Sequence, residues 1–197
     1  GPLGKPSDLK GIKRACVVGA GVMGSAIAAQ IANAGLPVLL LDVAEKGGGD
    51  RSQRAKSAIE RLMKTDPAPL MSNEAASLIA SGNIEDDLGR LGDADWIVEA
   101  IIEDLELKKD LYRKLDSYRA RHSILSSNTS TIPLAKLVEG FSDSFQENFC
   151  ITHFFNPPRY MRLLEVAGGK KTKSETLEII SDFGDRYLGK SVIRAKD

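Results

Sequence analysis

Short apolar runs alternate along the chain with longer segments whose apolar positions recur every three or four residues. Arg14-Ala-Cys-Val-Val18 is apolar and stops at a glycine, which predicts a strand. Met23 to Ala34 is rich in alanine and isoleucine and closes on Asn33-Ala-Gly35, so a helix is expected there with Gly35 just past its end. Pro37-Val-Leu-Leu-Leu-Asp42 offers no polar face before its final carboxylate, the pattern of a parallel strand covered on both sides. These three pieces make a βαβ unit.

The alternation continues downstream. Ala55, Ala58, Ile59 and Leu62 recur at helical spacing within 53–64, and Asp66-Pro-Ala-Pro69 ends that helix. A short helix is expected over 72–79, an edge strand at Asn83-Ile-Glu85, a strand at Ala94-Asp-Trp-Ile-Val-Glu99 and an amphipathic helix from Leu105 to Tyr118. Further strands are read at 123–126, 148–153, 163–166 and 191–194, with a helix holding Pro133 in its first turn, a polar loop after it, and a last amphipathic helix over 174–188. There is no internal repeat. Strands alternating with helices predict an α/β fold, a Rossmann-type, doubly wound, mostly parallel sheet.

Composition narrows the partners. The 197 residues are 42% apolar, enough for a sizeable core, and 27 basic residues balance 27 acidic ones, so no long-range field favours nucleic acid or an anionic membrane. No run approaches the ~20 apolar residues that span a bilayer. The two cysteines, Cys16 and Cys150, sit in apolar strands and read as reduced structural thiols, which fits a cytoplasmic setting. Gly1-Pro-Leu-Gly4 resembles the remnant of a removed purification tag. Residues 1–12 are therefore read as remnant and extension, and 13–197 as the folded domain.

Between the first strand and helix stands Gly19-Ala-Gly21-Val22-Met23-Gly24, a G-x-G-x-x-G pattern. The pattern alone is common in turns, but strand–turn–helix is the context in which it cradles a pyrophosphate. The first glycine turns the chain, the second admits the phosphates and the third lets helix meet sheet. Asp42, eighteen residues beyond Gly24, ends the second strand, where a carboxylate accepts from a ribose 2′-hydroxyl and repels a 2′-phosphate. No arginine follows it in Asp42-Val-Ala-Glu-Lys46, so NAD is expected over NADP.

The chain has two histidines. His122 ends a charged helix and reads as a solvated residue that suits the helix dipole. His153 ends an apolar strand and precedes Phe-Phe-Asn-Pro-Pro158, and twelve residues on Glu165 lies in an apolar run where a carboxylate needs a partner. If the two strands are neighbours, Glu165 orients and stabilises an imidazole base; otherwise His153 is a satisfied core histidine. Ser127-Asn-Thr-Ser130 follows a strand on the edge where such sheets bind ligands, and also suits a helix cap. No metal-ligand spacing is present.

Taken together, Gly19–Gly24, Trp96-Ile-Val-Glu-Ala-Ile-Ile-Glu103, Ser127-Asn-Thr-Ser130, His153-Phe-Phe-Asn-Pro157 and Leu164-Glu-Val166 resemble the NAD-binding domain of L-3-hydroxyacyl-CoA dehydrogenases, from about Lys13 to Asp197. Asp66-Pro-Ala-Pro-Leu-Met71 and the Pro-Arg-Tyr-Met161 continuation look more like the long fatty-acid-degradation members with an appended enoyl-CoA hydratase-like region. The resemblance implies that His153 is the catalytic base, Glu165 its partner, and Ser130 a donor to the substrate oxygen. Gly19, Gly21, Val22, Met23, Gly24 and Asp42 would bind NAD, Asn128 would lie near the nicotinamide, and Glu103, Lys108 and Asn156 would line the cleft.

A 3-hydroxyacyl-CoA is the implied substrate, oxidised to the 3-ketoacyl thioester. In the family a helical domain follows, completing the site and often the dimer contacts. That domain is expected to be absent here, so that the chain binds NAD but turns over poorly alone, with homo-oligomers formed by the complete protein. A non-catalytic NAD-binding module is the alternative from another class. Dehydrogenases of the 6-phosphogluconate or short 2-hydroxyacid type share the glycine turn but explain neither Ser127–Ser130 nor His153–Asn156.

Overall fold

The computed structural model describes residues 11–196, so most of the segment read as a tag remnant lies outside the described residues. Among the described residues eight strands form one sheet: β1 (Ala15–Val18), β2 (Val38–Asp42), β3 (Ile79–Asn83), β4 (Trp96–Glu99), β5 (Ile124–Ser127), β6 (Phe149–Phe154), β7 (Leu163–Gly168) and β8 (Ser191–Lys196), in the order β3-β2-β1-β4-β5-β6-β7-β8. All neighbours run parallel except β6 and β7. The exception follows from chain length. Only residues 155–162 join those two strands, too few for the crossover that parallel pairing requires.

β1 shows why the sheet is buried on both sides. Ala15 and Val17 enter one core while Cys16 and Val18 enter the other, and none is more than 3% exposed. The first core is closed by α1 (Val22–Asn33), α2 (Gln53–Lys64), α3 (Asn73–Ser77) and α7 (Ser174–Arg186). The second is closed by a 3-10 helix (Leu88–Asp93), α4 (Leu105–Tyr118), α5 (Leu134–Val138) and α6 (Asp143–Glu147). Both cysteines are free thiols inside these cores, and burial pushes the Cys150 thiol up to about 12.

Several element boundaries depart from expectation. Helix α3 stops at Ser77, and 79–83 rather than 83–85 supplies the edge strand, because Ile79 is buried and pairs with Val38. Asn83 instead ends that strand in a turn, its Oδ1 accepting from the Asp86 amide at 2.8 Å. Pro133 is the residue before α5 rather than inside its first turn, with ψ 138°. The polar segment beyond it contains α6, whose Ser142 cap accepts from the Phe145 amide, while Phe145 is driven into the core at 1% exposure. The last helix ends at Arg186.

The chain moves from β1 out to β3 and returns to β4 on β1's other side, so the strand order reverses between β1 and β4. Ligands bind at such a reversal, beyond the C-terminal ends of the strands. Those ends are level: Val18 faces Glu99, Glu99 faces Ser127, and Ser127 faces Ile151, two residues before His153. The loops leaving β1 and β4 touch, since a Cβ on Gly19 would lie 2.5 Å from the Ala100 carbonyl oxygen.

Gly24 is equally constrained, because a Cβ there would come within 1.7 Å of the Gly19 carbonyl oxygen, whereas a Cβ on Gly21 would meet nothing within 4 Å. Gly24→Ala is therefore expected to cost about 1–3 kcal/mol or more. Gly21→Ser, at an extended position that precedes α1, is expected to hold stability within about 0.5 kcal/mol. Urea denaturation of the two variants checks the contrast.

Candidate active site

The turn between β1 and α1 is held by backbone. Gly19, at φ 111°, donates its amide to the Leu41 carbonyl at 2.8 Å, and Asp42 Oδ2 accepts from the Ala20 amide at 2.7 Å. Asp42 Oδ1 takes the Val43 amide at 2.6 Å. Each carboxylate oxygen keeps lone-pair capacity for a further donor such as a ribose hydroxyl. Val22 is 72% exposed at the start of α1, a helix whose N-cap, Gly21, has no side chain to cap it. The helix's first-turn amides and positive dipole end thus face the open space over Gly21, the cradle that a pyrophosphate needs. The residues present fit a dinucleotide.

His153 and Glu165 are direct cross-strand partners in the antiparallel β6–β7 pair, with Nδ1 3.0 Å from Oε1. That contact places the proton on Nδ1 and leaves Nε2 as the acceptor. The two side chains are 20% and 39% exposed, dry enough to order the pair and open enough to be reached. The His153 ring also lies against Phe155, centroids 4.5 Å apart. His122, by contrast, is 62% exposed and bonds Asp95 at 2.8 Å, the surface role expected of it.

A cleft of about 340 Å³ joins this pair to the glycine turn, lined among others by Met23, Glu103, Asn128, Ser130, His153 and Asn156. A larger cavity of about 700 Å³ lies between α5 and the end of β7, but it holds no pairing of this kind, and chemistry selects the smaller. Asn128 Oδ1 accepts from the Phe154 amide at 2.9 Å, so it locks the end of β6 as well as lining the cleft.

Residues 14–197 match the family model described as 3-hydroxyacyl-CoA dehydrogenase, NAD binding domain. The chain belongs to this family. It is 50% identical over 186 residues to a probable 3-hydroxyacyl-CoA dehydrogenase of Deinococcus radiodurans, covering 94% of this chain and 54% of that protein. It is 45% identical over 186 residues to a putative fatty acid oxidation complex trifunctional enzyme of Rickettsia felis, covering 94% of this chain and 26% of the other. The crystal structure of 3-hydroxybutyryl-CoA dehydrogenase from Escherichia coli K12 superposes with TM-score 0.78 at 27% identity, over 94% of this chain and 38% of that one. The chain thus spans about half or less of the length of these relatives.

For this member of the NAD-binding domain family, NAD is the cofactor, in keeping with the glycine turn and Asp42. No helix among the described residues is long and apolar enough to cross a membrane, and no group of metal-ligating side chains occurs among them.

Beneath the cleft lies a residue that sequence reading passed over. Glu99, at the end of β4, is fully buried. It accepts from Lys108 Nζ at 2.5 Å, Tyr112 Oη at 2.5 Å, Ser127 Oγ at 2.6 Å and the Ile101 amide at 2.9 Å. Burial, and then the facing carboxylate, push the Tyr112 phenol well above its ordinary value, so it remains a donor. Lys108 is 1% exposed and spends its ammonium on Glu99 and Glu103, which makes it a support of the cleft floor more than an open ligand. The available signal was a carboxylate closing an apolar strand at the same sheet edge as Asp42.

Lys190 was also missed. Its ammonium is buried with no carboxylate partner among the described residues and donates to the carbonyls of Pro158 and Met161, pinning the loop that follows His153. Burial pulls its pKa down to about 8.

Burial opposes ionisation of Glu103, but hydrogen bonds from Thr129, Thr131 and Lys108 outweigh it and bring the carboxyl down to about 2. A depressed acid stabilises the fold fully above its unfolded value of ~4.3 and loses that contribution as pH falls through its folded value. Melting temperature is therefore expected to drop between about pH 5 and 2, and Glu103→Gln to show a shallower drop in that window.

Proposed function

We propose that this chain is the cofactor-binding part of an enzyme that oxidises the 3-hydroxyl of a 3-hydroxyacyl-CoA to a ketone in fatty acid β-oxidation. One observation carries the reading: a histidine–carboxylate pair, its Nε2 without a partner among the described residues, opens onto the cleft that begins at the glycine turn. The relatives named as 3-hydroxyacyl-CoA dehydrogenases support the substrate class.

When bound, NAD supplies the acceptor for the hydride leaving C3. The chain's own residues manage the proton. Nε2 of His153 takes it from the 3-hydroxyl, and Glu165 stabilises the resulting imidazolium while holding the ring in the tautomer that can accept. Ser130 donates to the substrate oxygen, and Asn128 and Asn156 shape the nicotinamide end of the cleft. Gly19, Gly21, Val22, Met23, Gly24 and Asp42 hold the rest of the dinucleotide.

The domain assignment for 13–197, a cytoplasmic location, slow turnover by this chain alone and self-association of the complete protein belong to the same proposal. The two buried thiols are in keeping with that location.

In the complete protein, His153→Ala is expected to lower the rate of NADH formation from 3-hydroxybutyryl-CoA by roughly 10²- to 10⁴-fold while NADH binding persists. Activity that survives the substitution would assign the pair to structure and favour a binding module. In this chain, Gly21→Ser is expected to abolish NAD binding, and Asp42→Ala to weaken NAD far more than NADP. Calorimetric titration checks both, and equal weakening of the two cofactors removes the ribose role of Asp42.

A further inference from the structure

The floor of the cleft carries unbalanced charge. Lys108 pairs with two carboxylates, Glu99 at 2.5 Å and Glu103 at 3.1 Å, so two formal negative charges meet one positive. Glu99 is fully buried below, while the Glu103 side chain is 41% exposed and lines the cleft wall. Among the described residues lining the cleft, Glu103, Lys108 and His153 are the only ones able to carry charge. Glu103 cannot swing away easily, since Thr129 Oγ1 and Thr131 Oγ1 both donate to its Oε2 at 2.7 Å.

On the proposed reading, with the pyrophosphate over Gly21, the nicotinamide end must enter this cleft, because Met23 borders both places. The nicotinamide ring is cationic in NAD+ and neutral in NADH. We infer that Glu103 selects the oxidation state of the cofactor, its excess negative charge favouring NAD+ over NADH. The same interaction loads the oxidised form and eases departure of the reduced one, which suits net oxidation of an alcohol. The cleft is open to solvent, so screening limits the effect to about three- to tenfold in the ratio of the two dissociation constants.

The test measures dissociation constants of NAD+, NADH and ADP-ribose for this chain and for Glu103→Gln, Glu103→Asp and Thr131→Ala. Glutamine has the size of glutamate and the side chain is partly in water, so the fold is kept; a melting curve checks this. Glu103→Gln is expected to shift the NAD+/NADH ratio about three- to tenfold against NAD+ and to leave ADP-ribose, which lacks the ring, unchanged. Glu103→Asp should restore most of the preference, and Thr131→Ala should retain it. An unchanged ratio, or equal weakening of all three ligands, overturns the inference while leaving the NAD site intact. Failure of the unsubstituted chain to bind any of the three overturns the NAD reading itself.

Discussion

The site depends on one buried carboxylate. Glu99 ends β4 where the strand order reverses, and leaving such a charge unpaired in the interior costs several kcal/mol. Its four donors come from α4, from Ser127 at the end of β5, and from the loop leaving β4 itself. Satisfying the charge therefore fixes three elements at once. Ser127 is held, so Asn128 and Ser130 follow in register; Ile101 is held, so Ala100 stays against Gly19. The same ammonium then reaches Glu103 on the cleft wall.

The other half of the site follows from strand direction. Because only eight residues separate β6 from β7, the pair is antiparallel, and that register sets His153 directly across from Glu165. In a parallel pair the same residues would be carried to opposite ends of their strands. The loop between them is fastened underneath by Lys190 and on its flank by Arg159 and Tyr160, whose side chains donate to the Ala68 carbonyl at 2.8 Å. Asn156 thus approaches the cleft on a restrained segment. Together the two halves bring groups from residues 23 to 165 to one sheet edge.

Much of this was legible in advance, and for identifiable reasons. The strands of the central sheet are continuous apolar runs because they are covered on both faces, and the glycines of the first turn are needed where backbones touch. Those local demands are written in residue type. The misplaced elements are the short ones. Over 72–85 and 131–147, capping side chains such as Asn83 and Ser142, and single core anchors such as Ile79 and Phe145, decide the boundaries. Such choices depend on what packs opposite, which spacing along the chain does not express.

By itself the sequence determined the βαβ start, the G-x-G-x-x-G turn with its distant acid, and the presence of a histidine and a carboxylate each at the end of an apolar run, because each is a demand of local chemistry. Only the tertiary structure decided that His153 faces Glu165, that Lys108 is buried between Glu99 and Glu103, and that Glu99 organises the cleft. These are contacts between separate strands and helices. Strand order, direction and burial create them, and no local pattern encodes which charges the fold will bring together.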